Sequence, residues 1–491
     1  MERLIASGPI IIEDGCLLVT RDWKDEFYKI PGGRLEEGED LESCALRRFR
    51  IETGFDADII EELSTMYLDK KPVTGEDIEM ELHHFNAKLK ERPTDLEGFE
   101  HADYEVKWLN VRDIIEGKFN VAPNIKFLIE KGEIEPWIDY SFGKKKKFFE
   151  FVDMITSRDK VAIVTHTDPD GLISGVLLDK ILKAKSVSVD SINFIEMEAE
   201  MVKKITSKLK EKGISKVFFC DLGVDNADLE GLEEMKKEMD FFILDHHPSQ
   251  ENPALKDNMI KSTSDDCAAM LVYDLGRGVF DTKESNWLLA AAMFADYSYQ
   301  TSKNFEIIKR IYPNVTKENL GGSTPGINAR KINSAMRYYL DNLHHVYELV
   351  KNRDLDKLSE VHNIIEEEVN CLVDNFSDNA EFISEKGLYL YEVKSSFRLS
   401  STVSSIISKM GNKGTFIVYQ KWSDGVHLSA RNQEGLRYDM NKLLKEGIEG
   451  LEGASGGGHA KAAGAGFKEA DLALVLDRIK NNSMFDIKGV Y

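Results

Sequence analysis

At 491 residues with 42% hydrophobic side chains, the chain is long enough for about three domains with ordinary packed cores. Its formal net charge of -22 argues against a broad, sequence-blind surface for duplex DNA, which is normally basic. Five scattered cysteines without Cys-x-x-Cys spacing argue against a disulfide scaffold or a zinc knuckle; with no bilayer-length apolar run and no N-terminal signal segment, the expectation is a soluble cytoplasmic protein.

Residues 1–138 read as a separate α+β domain. Strands are expected over 8–12 and 16–20, joined by the hairpin signal Glu13-Asp14-Gly15. Ile30-Pro31-Gly32-Gly33 then leads into a polar helix over 41–53, closed by Gly54. A strand over 79–89 and a mostly helical stretch over 111–131 complete the domain. Gly33, Glu39, Arg47, Phe49, Glu52, Gly54 and Phe55 fall in the register of the Nudix box, and this stretch resembles the Nudix hydrolases of nucleoside-diphosphate compounds. Two positions depart from the box. Arg48 and Ile51 stand where it has glutamates, which in that family form a helical row with the one matched by Glu52 and grip magnesium around a pyrophosphate. Arg48 has the wrong charge and Ile51 no oxygen, so Glu52, even helped by Glu36 or Glu37, makes a weak site. The expectation is a Nudix fold with a degenerate box, binding a nucleotide or a protein.

Residues 139–147, with the run Lys144-Lys145-Lys146-Lys147, read as a solvated linker and helix start. Beyond it, over 148–309, short apolar strands alternate with helices, which implies a doubly wound parallel sheet. Helices are expected over 172–185, 198–212, 226–239, 267–275 and 286–295, and a further strand over 191–195. Three apolar runs end on chemistry: Val161-Ala162-Ile163-Val164 on Thr165-His166-Thr167-Asp168-Pro169-Asp170-Gly171, Val217-Phe218-Phe219-Cys220 on Asp221, and Phe241-Phe242-Ile243-Leu244 on Asp245-His246-His247. Ligands collect outside the carboxyl ends of strands in such sheets. So many carboxylates in one crevice would repel one another and protonate without cations. Imidazole mixed with carboxylate suits manganese, zinc or iron, and the number of ligands suggests two ions sharing a carboxylate.

These motifs resemble those of DHH-family phosphoesterases, the family of RecJ-type exonucleases and nanoRNase-type oligonucleotide hydrolases. Asp296, after an alanine-rich helix, fits the fourth motif, and Gly456-Gly457-Gly458-His459 resembles the signature of the DHH-associated C-terminal domain. The resemblance implies that His166, Asp168 and Asp221 hold one ion, and Asp170, Asp221, His246 and Asp296 the other. It implies two divalent ions, manganese first, with magnesium or cobalt as alternatives. His247 would donate to a phosphate oxygen or the leaving group, and Asp245 would accept a hydrogen bond from a ligand histidine.

Residues 310–385 are expected to form a polar helical connector, with a loop at 374–377. Residues 386–491 are expected to form a smaller α/β domain with strands over 388–393, 415–419 and 426–430. There Arg431, a loop of Gly456, Gly457 and Gly458, and His459 would clamp a substrate end. The leading expectation is a manganese-dependent phosphodiesterase for short single-stranded RNA or DNA. A small-nucleotide phosphoesterase, acting on a cyclic dinucleotide or 3′-phosphoadenosine phosphate, is the second reading, and a non-catalytic replication or repair scaffold the third. RNA against DNA, polarity and oligomeric state, a homodimer included, stay open.

Overall fold

The computed structural model describes residues 2–486 apart from 14, 71–75, 92–95, 116, 135–137, 139, 199, 249–252, 278, 412 and 434–437. Asp14 of the expected hairpin turn and Asp139 of the expected linker lie outside the described residues. The chain forms two compact units, 1–327 and 328–491. No helix among the described residues is long and apolar enough to cross a membrane.

In the first unit, strand Glu2–Ile10 runs parallel to Asp77–Leu89, and a second sheet pairs Cys16–Asp22 with Tyr104–Asn110. The helix Leu41–Thr53 has the expected bounds. Asp40 caps it by accepting from Ser43 N at 2.8 Å, and Gly54 ends it at φ 75°, where a side chain would be strained. Ala45, Phe49 and Glu52 turn one face inward at helical spacing. The stretch over 111–131 is less helical than expected. It holds two short helices, Val111–Ile115 and Pro123–Glu130, because Pro123 suits only a helix's first turn and starts a new one.

The central sheet is doubly wound. Its spatial order is Ser191–Ile195, Val161–His166, Lys216–Cys220, Asp240–Asp245, Met259–Ser262, all parallel. Tyr140–Phe142, inside the expected linker, adds an antiparallel edge strand. Alternate residues face opposite layers. Val217 and Phe219 pack with Val202 and Leu209, whereas Phe218 meets Phe148 and Phe151 on the other face. Each such buried phenylalanine contributes ~1.5–3 kcal/mol. The lysine run begins the helix Lys145–Asp153, and Lys145 Nζ donates to Asp274 O at 2.8 Å. The single helix expected over 226–239 is two, Val224–Ala227 and Leu229–Met235. Asp228 breaks it, capping the second piece through Gly231 N at 3.0 Å and accepting from Val202 N of the neighbouring helix at 2.9 Å. That second contact is tertiary and has no local signal.

In the second unit, helices Leu343–Lys351 and Leu355–Asp374 precede a sheet ordered Glu381–Ile383, Leu388–Glu392, Thr415–Trp422, Gly425–Asn432, Ala462–Phe467, Ser455–His459. Two expected loops are otherwise. At 374–377, a short helix Phe376–Asn379 follows at once, and its Phe376 is buried against Tyr391 and Phe416. Gly456, Gly457 and Gly458 belong to the edge strand Ser455–His459, paired antiparallel with Ala462–Phe467. Glycine suits this strand sterically: a Cβ on Gly458, at φ 140°, would stand 2.5 Å from Ala462 O.

Candidate metal centre and substrate cleft

The order of the central sheet reverses between Val161–His166 and Lys216–Cys220, and such a switch point opens a crevice at the strands' carboxyl ends. His166 ends the first of these strands and Asp221 follows the second. Asp221 sits at φ 58°, a left-handed conformation that costs a short polar residue less than most, and its amide donates to Leu244 O of the next strand at 3.0 Å. This turn sets its carboxylate between two histidines. Oδ2 lies 3.7 Å from His166 Nδ1, and Oδ1 lies 3.3 Å from His246 Nε2. Asp168 Oδ2 lies 3.1 Å from the same His166 Nδ1, while its Oδ1 caps the helix Pro169–Ala184 through Gly171 N at 2.9 Å.

Asp170 is buried, and both its oxygens accept amides from the first turn of the helix Ala268–Gly276, Ala268 N at 2.7 Å and Ala269 N at 3.0 Å. Burial, then the charges of Asp221 and Asp296, push its pKa well above the usual carboxylate range. Asp296 caps the end of the helix Asn286–Ala295, and burial raises its pKa to about 6. The structure brings all six expected ligands together, and three groups have atoms close enough to hold a metal: His166, Asp168 and Asp221; Asp170, His246 and Asp296; and Asp221, His246 and His247. His247 in the third group was expected only as a proton donor. His166 Nδ1, Asp221 Oδ2 and His246 Nδ1 are buried without a hydrogen-bond partner. Imidazole nitrogens and carboxylate oxygens left in this way suit a cation.

Four residues at this site escaped the sequence reading. Glu196, directly after Ser191–Ile195, places Oε2 3.5 Å from His166 Nε2. An acid following a strand was the signal that singled out Asp221, and it applied here too. Lys261 and Asp225 surround Asp245, whose histidine partner is His247 and not His246: His247 Nδ1 and Asp245 Oδ1 are 2.8 Å apart. Lys261 Nζ lies 2.9 Å from Asp245 Oδ2 and donates to Asp225 Oδ1 at 2.8 Å. Burial raises the pKa of Asp245, but the His247 hydrogen bond and the Lys261 charge outweigh it and hold the carboxyl at about 2. The fourth, Cys267, lies in the loop that leads to the Asp170-binding amides and is itself buried.

In the second unit, Arg431 and the strand residues Gly456, Gly457 and Gly458 line a cleft of about 750 Å³. Arg337, Arg398, Ser401 and His427 line it too, and were not anticipated. Arg431 Nε donates to Ser405 Oγ at 3.2 Å, Nη2 to Ser401 Oγ at 3.3 Å and Nη1 to Ala430 O at 3.2 Å. Arg337 is half-buried in this cleft, and that burial lowers its pKa. His459 follows these glycines, exposed at the strand end and paired with Ala462, which also lines the cleft.

Family profiles match in sequence: the NUDIX domain over 1–130, the DHH family N-terminal domain over 160–297 and the DHHA1 domain over 358–482. This is a DHH-type chain fused to an N-terminal Nudix domain. RecJ from Thermus thermophilus, in complex with Mn2+, is similar in fold at 18% identity and TM-score 0.52, over 68% of this chain and 54% of that one. The chain thus spans about half of that RecJ. An exonuclease RecJ bound to manganese matches at 15% identity and TM-score 0.52, over 70% of this chain and 97% of its own. An uncharacterised protein of Methanocaldococcus jannaschii is 31% identical over 101 residues, 20% of this chain and 21% of that one.

The Nudix domain shows what the box departures do. Arg47 forks onto Glu39, Nε to Oε1 at 2.6 Å and Nη2 to Oε2 at 2.8 Å. Glu52 is 1% exposed, and both its oxygens are engaged. Oε2 accepts from Thr20 Oγ1 at 2.8 Å, and Oε1 from Arg48 Nη2 at 2.9 Å. The guanidinium of Arg48 therefore neutralises the one magnesium-ligand position that the box retains, and Ile51 points to solvent.

Proposed function

We propose that this DHH-family protein is a manganese-dependent phosphodiesterase that hydrolyses short single-stranded RNA or DNA. The observation that supports it best is Asp221, which joins two ligand groups by offering a different oxygen to His166 and to His246. His166, Asp168 and Asp221 would hold one divalent ion, and Asp170, Asp221, His246 and Asp296 the other. Manganese suits this mixture of imidazole and carboxylate, with magnesium or cobalt as alternatives. Bound there, the ions would lower the pKa of a water and offset the negative charge that grows on phosphorus.

The chain's own groups do the rest. Asp245 takes the Nδ1 edge of His247 and raises its pKa, so the ring carries a proton on Nε2 for a phosphate oxygen or the leaving group. Asp170, held by two amides, keeps its carboxylate in one orientation. Arg431 binds a phosphate of the substrate, and its fork positions a strand without reading bases. With a net charge of -22, long-range attraction to polynucleotide is weak, so affinity comes from contacts over a few nucleotides. The Nudix domain serves binding and not hydrolysis.

The test is end-labelled RNA and DNA, from dinucleotides upwards, incubated with manganese, magnesium or a chelator. A ladder of short products with manganese and none with chelator is expected. Intact substrate of every length and both sugars in the presence of manganese would overturn the proposal.

A further inference from the structure

A lysine in a protein core is rare unless its charge is matched. Lys261 is 2% exposed and lies in the strand Met259–Ser262, beside Asp245 in the parallel register. An ammonium group has three donors and accepts nothing. Two donors have hydrogen-bond partners here, Asp225 Oδ1 at 2.8 Å and the main-chain O of His247 at 2.9 Å, and Nζ forms an ion pair with Asp245 Oδ2 at 2.9 Å. Asp225 comes from the short helix Val224–Ala227, just after Asp221. Lys261 therefore ties the loop after Asp221 to the Asp245–His247 segment. Its grip on one oxygen of Asp245 turns the other oxygen to His247 Nδ1, 2.8 Å away. A histidine's tautomer is set by the hydrogen bond its other nitrogen makes.

We infer that Lys261 is a positioning residue for the hydrolytic centre: through Asp245 it fixes the ring of His247 with Nδ1 on Asp245 and Nε2 turned to the reacting phosphate, and through the His247 carbonyl it fixes the backbone that carries the ring. This rests on the hydrolytic reading for its kinetic consequence, but the orientation of His247 is measurable without turnover. The single charge of Lys261 also offsets part of the negative charge of Asp225 and Asp245, two buried carboxylates it pairs with.

The experiment uses the full-length protein and the variants Lys261→Met, Asp225→Asn, His247→Gln and the pair Lys261→Met/His247→Gln. In protein labelled with 15N at histidine, the His247 ring is assigned by its disappearance in His247→Gln. The parent shows a sharp Nδ1–H signal for it, and Lys261→Met shifts, broadens or loses that signal. On a small activated phosphodiester with saturating manganese, Lys261→Met lowers kcat at least about tenfold, as losses of partners that orient a site group do, while KM and the manganese concentration for half-activation stay within error. Lys261→Met/His247→Gln is no slower than His247→Gln alone, because the lysine acts through the ring. Asp225→Asn keeps the lysine and gives a smaller change of the same kind, so the inference survives if Lys261→Met does not fold. An unchanged His247 signal in both Lys261→Met and Asp225→Asn overturns it whether or not the parent turns over. So does a kinetic loss that multiplies with that of His247→Gln, or one that tracks a weakened response to manganese. An inactive parent with the expected ring signals would instead count against the hydrolytic reading alone.

Discussion

Asp221 faces His166 with one carboxylate oxygen and His246 with the other, at 3.7 Å and 3.3 Å. A monodentate side chain such as histidine cannot join two ions in this way, whereas a carboxylate has an oxygen for each. Asp221 holds this position with a left-handed backbone, φ 58°. Asparagine also tolerates this backbone region.

Asp221→Asn should therefore fold and lose hydrolysis on every substrate by at least about a hundredfold. Its melting temperature should no longer rise with manganese as the parent's does. Calorimetry and steady-state rates check both, and retained turnover with manganese would sink the shared-ligand assignment.

The metal-free protein should lose stability as pH rises from about 6.5 towards about 10. Burial lowers the pKa of His166 and His246, but their carboxylate partners outweigh it and raise them to about 12 and about 10. A base raised in the folded state stabilises below its unfolded pKa, and that contribution fades as pH climbs towards the folded one. Asp296, raised by burial to about 6, acts in the same direction, because its charged form is disfavoured in the fold. The lowered acids Asp168, Glu196 and Asp245 act only at more acidic pH, where their unfolded forms protonate. Saturating manganese should flatten or reverse the slope, since ligation requires deprotonated groups. Melting curves across pH with chelator and with manganese give the answer. A chelated protein that grows more stable towards alkaline pH contradicts it.

Arg431→Ala should raise KM for oligonucleotides about tenfold or more, the scale of a lost charged hydrogen bond. It should spare a small activated phosphodiester, whose hydrolysis needs only the metal groups. His459→Ala, at the end of the glycine strand, should act in the same direction. Equal constants for parent and Arg431→Ala on di- and longer oligonucleotides would make Arg431 a surface charge.

The Nudix domain should not hydrolyse nucleoside diphosphate derivatives. This is best measured in full-length Asp221→Asn, where the other centre is disabled. Glu52 is occupied by Arg48 and Thr20, so magnesium finds no open carboxylate there. Magnesium-dependent release of a mononucleotide or phosphate from such compounds would show that other glutamates rebuild the site.

Much of this site was legible because its residues lie within a few positions of strand ends. A buried parallel strand is a run of apolar residues, so the first polar residue after it marks the sheet's carboxyl edge. That local rule located His166, Asp168, Asp170, Asp221, Asp245 and His246, and the end of the helix Leu41–Thr53 followed from Gly54. Spacing also marked Arg48 as a departure, since charge at one helical position is readable without neighbours.

Contacts between distant segments were decided by the tertiary structure. Asp245 was expected to serve a ligand histidine; its proximity to His247, and the burial of Lys261 between Asp245 and Asp225, depend on how three strands and a short helix meet. Asp170 faces the amides of Ala268 and Ala269 some hundred positions along only because two helices pack on one face of the sheet. The three glycines signalled a turn locally, yet became an edge strand because Ala462–Phe467 offers a ladder of hydrogen bonds. Sequence alone determined which carboxylates and imidazoles fall near which strand ends, because alternation and chain breaks are local. Which oxygen meets which nitrogen was set by packing, because partners far apart in the chain leave no periodic trace in it.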